Sequence, residues 1–382
     1  MPFYVRQGEI PPKRHTVFKN NDGRTYYEEL VSREGFSSIY SNYYHLHRPT
    51  KITQVGTMEK IELHHATKQH RHRHIYTSKI QYPGDILSSR TPLFFNDDII
   101  ISVATVNESM DYFYRNGMGD EVLYIQYGSG RLQSNLGNLE CQPGDYVVIP
   151  RGIIWQIVPD DVLKILIIDS LGPIETPVKY RNRFGQLMEN SPFCERDIKT
   201  PLLQQPVDDS SEFLIKTKTS SGIQEYSYAH HPFDIIGWDG FYFPWSFNID
   251  DFEPIVGSIH LPPPVHQTFQ APGFVVCSFV PRLFDFHPDS IPAPYPHSNV
   301  DSDEIIYYSK GEFMSRKGIQ SESITHHPMG LPHGPQPGKY KSSVGKERTD
   351  ELAVMIDTFK PLKITEAARK IDDSSYPLSW ID

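Results

Sequence analysis

The chain has 382 residues, 38% of them hydrophobic, and its 37 Lys and Arg against 47 Asp and Glu leave a formal charge of -10. That length exceeds what one core usually fills, so two core-forming units are expected, and an acidic balance without a long basic run gives no reason to expect nucleic-acid binding. No apolar run approaches the roughly 18 residues that span a membrane, the start lacks the charge-then-apolar order of a secretory leader, and Cys141, Cys194 and Cys277 are too scattered for a disulfide framework or a thiolate metal motif; the expected compartment is the cytoplasm.

With 32 Pro, 25 Gly, 22 Tyr and 21 Phe, the chain favours strands and turns over a helical bundle. The expected class is all-β, two barrel modules with a few short helices, divided as 1–210 and 211–382. His45 and His47, near the start, complete no metal pattern and read as turn or interface residues. Asp120-Glu121 leads a strand that ends at Gly128, and Gly144 to Gly152 gives a second strand closed by Pro150. The aromatic run from Trp238 through Tyr242 and Trp245 to Phe247 could wall a ring-binding cavity, but core packing is the better expectation. His260 and His266 follow in a proline-rich stretch. Arg282 could pair with a substrate carboxylate through its fork geometry or form a surface ion pair. The apolar centre of Glu351 to Thr358 reads as a core strand near the end.

His297, Glu304 and His333 stand out between these segments. Glu304-Ile-Ile-Tyr-Tyr-Ser-Lys-Gly311 reads as a β-branched and aromatic strand ending at a glycine turn, which would hold the carboxylate. The Pro328 to Pro332 turn could return the chain and deliver His333. Two imidazoles and one carboxylate suit iron(II): they leave about three of six octahedral positions open, enough for a bidentate phenolate and dioxygen together. Ordinary loop histidines are the competing reading, since the chain has 17.

The repeated arrangement resembles a bicupin, whose motifs run approximately G(X)5HXH(X)3–4E(X)6G and G(X)5PXG(X)2H. In the first copy Glu121 and Gly128 match, but Tyr114, Asn116 and Trp155 occupy the histidine positions, so that barrel is expected to be structural. In the second copy His297, Glu304 and His333 match, while Asn299 replaces one histidine; it could hold a water or stabilise the turn, and the turn role is favoured. Over both halves, and most strongly at Pro294-Tyr-Pro-His297-Ser-Asn299 and Pro332-His333-Gly-Pro335, the chain is similar to the homogentisate 1,2-dioxygenase family, in a shorter microbial branch. The resemblance implies Fe(II), O2 and a small aromatic dihydroxy acid as reactants, ring opening as the reaction, His297, Glu304 and His333 as ligands, His327 as a pocket histidine near the substrate hydroxyl, and a homo-oligomer.

Two departures matter. The family interval between histidine and glutamate is one residue shorter, which would select Asp303; Glu304 is preferred because it keeps the cupin distances to His297 and Gly311, with Asp303 facing the opposite side. The family's acid/base histidine is absent from Phe247-Asn-Ile-Asp-Asp-Phe-Glu-Pro254, leaving His327, His260 or His266 to move protons. A gentisate-type dioxygenase, a non-enzymatic bicupin that binds a ligand, and zinc or manganese isomerase chemistry remain the alternatives.

Overall fold

Runs of β-branched and aromatic residues between Gly, Pro and Asn turns make strands the default local structure. The computed structural model describes residues 3–381, which form strands throughout apart from short α-helices at Lys339–Ser343 and Glu366–Lys370 and a few 3-10 turns. The architecture is the all-β bicupin arrangement expected from the sequence, with its sheets left as open layers.

In the first half, Ile99–Val106, Leu163–Ser170, Asp120–Tyr127, Asp145–Ile149 and Trp245–Asn248 are antiparallel neighbours. A second sheet holds Gly137–Cys141, Gly130–Ser134, Trp155–Pro159 and Phe113–Asn116 and continues into Phe213–Thr219 and Gly222–Tyr228. The second half forms a sheet in the order Gln267–Ala271, Phe274–Phe279, Leu352–Thr358, Asp303–Lys310, Ser323–His327 and Arg73–Ile75. Its last strand comes from the first half. In return, Lys363–Ile364 pairs with Thr91–Phe95 in the first-half sheet. Hydrogen bonding therefore runs across the 210/211 division expected from the sequence. Residues 213–248 pair with first-half strands, and the second-half sheet takes its first strand of its own at Gln267.

The two halves share one apolar core. Tyr124 donates to Ser309 Oγ at 2.8 Å, its ring lies 6.2 Å from Tyr307, and Tyr146 packs 5.2 Å from Phe269. Trp238, Trp245 and Phe247 are fully buried in that core.

The degenerate site of the first half is filled by protein groups. Tyr114 and Trp155 are both 0% exposed and meet edge to face at 5.2 Å. Arg90 Nη1 donates to Glu121 Oε1 at 2.8 Å and approaches Asp169 at 3.4 Å; Lys218 Nζ and Asn116 Nδ2 reach Asp169 Oδ1 at 2.7 and 3.2 Å. A guanidinium thus supplies the positive charge that the buried Glu121 requires. Removing one partner of a buried ion pair strands the other, at a typical cost of about 3–5 kcal/mol. Arg90→Ala is accordingly expected to lower unfolding free energy by about that amount in urea denaturation, while Arg131→Ala, whose partner Glu140 is exposed, changes it by less than about 1 kcal/mol.

Candidate metal centre

Glu304 lies at the start of Asp303–Lys310, and strand alternation points Glu304, Ile306 and Tyr308 to one face. His297 and His333 come from flanking loops that hydrogen-bond reciprocally: His297 N donates to His333 O at 2.8 Å and His333 N to His297 O at 2.9 Å. The Pro328 to Pro332 turn closes because Gly330, at φ +78°, donates its N–H to Asn299 O at 2.7 Å. Gly334 must lack a side chain, since a Cβ there would sit 2.7 Å from Pro296 Cα.

These elements bring one ligand atom each of His297, Glu304 and His333 within 4.8 Å of one another. His297 Nε2 is 4.0 Å from Glu304 Oε2, and His333 Nε2 is 3.3 Å from Glu304 Oε1. The second approach is close but is not aligned as a hydrogen bond, which leaves His333 Nε2 a buried nitrogen without a partner. Both rings are held from behind. His297 Nδ1 donates to Tyr295 O at 3.2 Å and His333 Nδ1 to Leu331 O at 3.3 Å. With the proton on Nδ1, each Nε2 lone pair is free for a metal, so the donor set fits a divalent ion.

Asp303 turns to the other face, where its carboxylate accepts from His326 Nε2 at 3.0 Å and from the Met329 and Leu362 N–H groups at 2.8 Å. It ties three segments together and does not reach the triad's side of the sheet.

His327 is placed differently from a substrate-facing acid. It is directly opposite Glu304 in the strand pairing and wholly buried; Nδ1 donates to Glu304 Oε1 at 2.7 Å, and Nε2 accepts from Tyr376 Oη at 3.2 Å. It does not line the cavity beside the triad. Burial holds His327 neutral, well below the usual imidazole range. Burial alone would push Glu304 up, but its bond from His327 and the closeness of His333 hold it well below the carboxylate range and ionised.

The cavity has a volume of about 370 Å³ and is walled by both β and loop residues, including Ile306, Met355, Phe313 and Asn299. His260 and His266 line it too. His260 is partly exposed, lies 3.7 Å from Asp285 and packs 5.0 Å from Tyr295, whose ring is 6.5 Å from His297. His266 is buried and pushed down to about 3 by burial and by the Arg282 charge, so it is neutral. Trp238, Tyr242, Phe243, Trp245 and Phe247 are core, Phe241 is exposed, and none of this aromatic run borders the cavity.

Several nearby residues carry no sequence motif. Asp357 stands across from Glu304, and burial together with the Glu304 charge pushes it up to about 8. His72, from the first half, accepts no ligand role by spacing, yet its ring lies 5.4 Å from His327 and 6.0 Å from His333, and Nε2 bonds Pro332 O at 3.2 Å. Tyr376 and Trp380 reach the site from the far end of the chain.

Residues 64–249 match the sequence profile described as homogentisate 1,2-dioxygenase N-terminal. The protein named Putative dioxygenase SSO1533, of Saccharolobus solfataricus, is 43% identical over 384 aligned residues, covering 100% of this chain and 99% of that protein. The homogentisate 1,2-dioxygenase of Nitrobacter hamburgensis is 26% identical over 69% of this chain and 61% of its own length, and that of Bradyrhizobium diazoefficiens 25% identical over 70% and 62%. Among solved structures, a cupin 2 conserved barrel domain protein from Leptotrichia buccalis aligns over 80% of this chain and 100% of its own, with a TM-score of 0.37 and 12% identity.

The opposite orientations of the two neighbouring acids give a direct test. Glu304→Gln is expected to lower bound divalent metal, measured by elemental analysis after dialysis, at least about tenfold. Asp303→Asn should retain metal and lose thermal stability instead. Equal metal content in the two variants would remove the distinction.

Proposed function

This chain belongs to the homogentisate 1,2-dioxygenase family, and from that premise we propose that it is an iron(II)-dependent dioxygenase that opens the ring of homogentisate or a related hydroquinone acid. The observation that carries the reading is the convergence of two Nε2 lone pairs and one ionised carboxylate at the wall of a cavity large enough for a single aromatic ring. His297, Glu304 and His333 would hold the metal. Iron(II) bound there supplies open coordination positions and the redox chemistry that dioxygen requires.

The chain's own groups do the rest. Ile306, Met355 and Phe313 offer the ring an apolar wall, which also excludes water. His327 acts as a positioning residue: its N–H fixes Glu304 Oε1 and leaves Oε2 for the metal, while Tyr376 fixes the tautomer of His327. Proton transfer to and from a substrate hydroxyl falls to the cavity-lining histidines. His260 is the better of the two, because it is partly exposed and has a carboxylate beside it, whereas His266 is held neutral by burial.

An oxygen electrode tests the reading. Protein reconstituted with Fe(II) is expected to consume one O2 per homogentisate or related hydroquinone acid, with loss of the aromatic absorbance. No uptake across homogentisate, gentisate and ring-substituted hydroquinone acids would overturn it. The two roles considered for His327 separate cleanly. As a positioning residue, His327→Ala should weaken iron binding by about 10- to 100-fold and recover much of kcat at saturating iron. Unchanged iron affinity with a collapsed kcat would instead make it a direct proton donor.

A further inference from the structure

Two guanidinium groups reach the cavity wall, and their surroundings differ. Arg282 Nη2 donates to Glu351 Oε1 at 2.9 Å, so its charge is answered within the protein. Arg316 is 5% exposed and lines the same cavity, yet among the described residues no carboxylate stands within ion-pair distance of it. Its Nη1 donates to the carbonyls of Ser315, at 3.3 Å, and Gly334; the Trp380 ring centroid lies 5.6 Å from the guanidinium carbon; and Nε is buried without a partner. Arginine stays charged at any working pH. A buried charge met by carbonyl dipoles, the Tyr376 hydroxyl and a π face, with no carboxylate paired to it, is costly, and an anion would answer it.

Position agrees with charge. Gly334 follows His333, so Arg316 is anchored one residue from the triad. Arg282 is tied to Glu351, at the far end of the cavity wall from Asp357, which stands beside Glu304. Along an extended strand that separation is roughly 20 Å, more than a single-ring acid spans.

We propose that Arg316 binds the carboxylate of the aromatic acid while the ring hydroxyls face His297, Glu304 and His333. This rests on the reading of the cavity as the substrate site, and it assigns the acid preference to Arg316, not to Arg282. The guanidinium's Nε has no partner and keeps a donor for a carboxylate, and replacing either charged partner costs about one to two orders of magnitude in affinity.

The experiment is an anaerobic titration of the Fe(II)-loaded protein with homogentisate and with its methyl ester, read by calorimetry and by tryptophan fluorescence, which Trp380 makes sensitive to the site. Wild-type protein should bind the acid at least about tenfold more tightly than the ester. Arg316→Gln should abolish that preference, Arg316→Lys should restore part of it, and Arg282→Gln should keep it. Equal wild-type affinity for acid and ester overturns the proposal without reliance on any variant; so does a preference that survives Arg316→Gln or is lost through Arg282→Gln. Failure of the dioxygenase reading would look different: the acid would bind with its preference intact, and admitting air would consume no oxygen.

Discussion

The strand Asp303–Lys310 is buried on both sides, and the two-residue period of its side chains is the constraint on which the site depends. Ile305, Tyr307 and Ser309 are fixed against the first half, where Tyr124 meets Tyr307 edge to face and bonds Ser309. Glu304, Ile306 and Tyr308 are thereby committed to the cavity. A slip of one residue would carry Ile305 toward the triad and turn Glu304 into the core. The aim of a single carboxylate is therefore set by packing on the face that carries no chemistry.

The histidines are positioned by a different device. Their backbones are bonded to each other, and each ring is bonded through Nδ1 to a carbonyl two residues earlier. Ring direction and tautomer are thus decided by local loop geometry, and Glu304 is fixed by His327. All three donors are oriented by protein contacts, so little ordering would be left for a metal ion to impose. The first half solves the equivalent charge problem without a metal: Arg90 lies against Glu121 and Asp169, and Tyr114 and Trp155 occupy the remaining volume.

How much of this was legible in the sequence depended on range. Glu304 through Gly311 shows its strand and turn within eight letters, and the opposite facing of Asp303 follows from alternation alone. Tyr114, Asn116 and Trp155 announce an altered first site, but nothing in their spacing points to Arg90, because its partners lie on other strands. His327 has a spacing that reads as a pocket residue; only the pairing that sets it opposite Glu304 shows that it stands behind that carboxylate. His72, Arg316, Tyr376 and Trp380 carry no local pattern, since each reaches the site through tertiary packing. The 210/211 division was drawn from the repeated motifs, which cannot show that edge strands are exchanged between the halves.

That exchange has a bearing on biogenesis. Arg73–Ile75 leaves the ribosome long before the sheet it completes exists, and Lys363–Ile364 must return to a sheet whose other strands were made much earlier. Neither half can finish its edges alone, so contacts of very long sequence separation gate the last stage of folding. Tyr376 and Trp380, which close around His327 and Arg316, are synthesised after both of the residues they cover. The cavity beside His297, Glu304 and His333 is consequently complete only once strands from both halves have met.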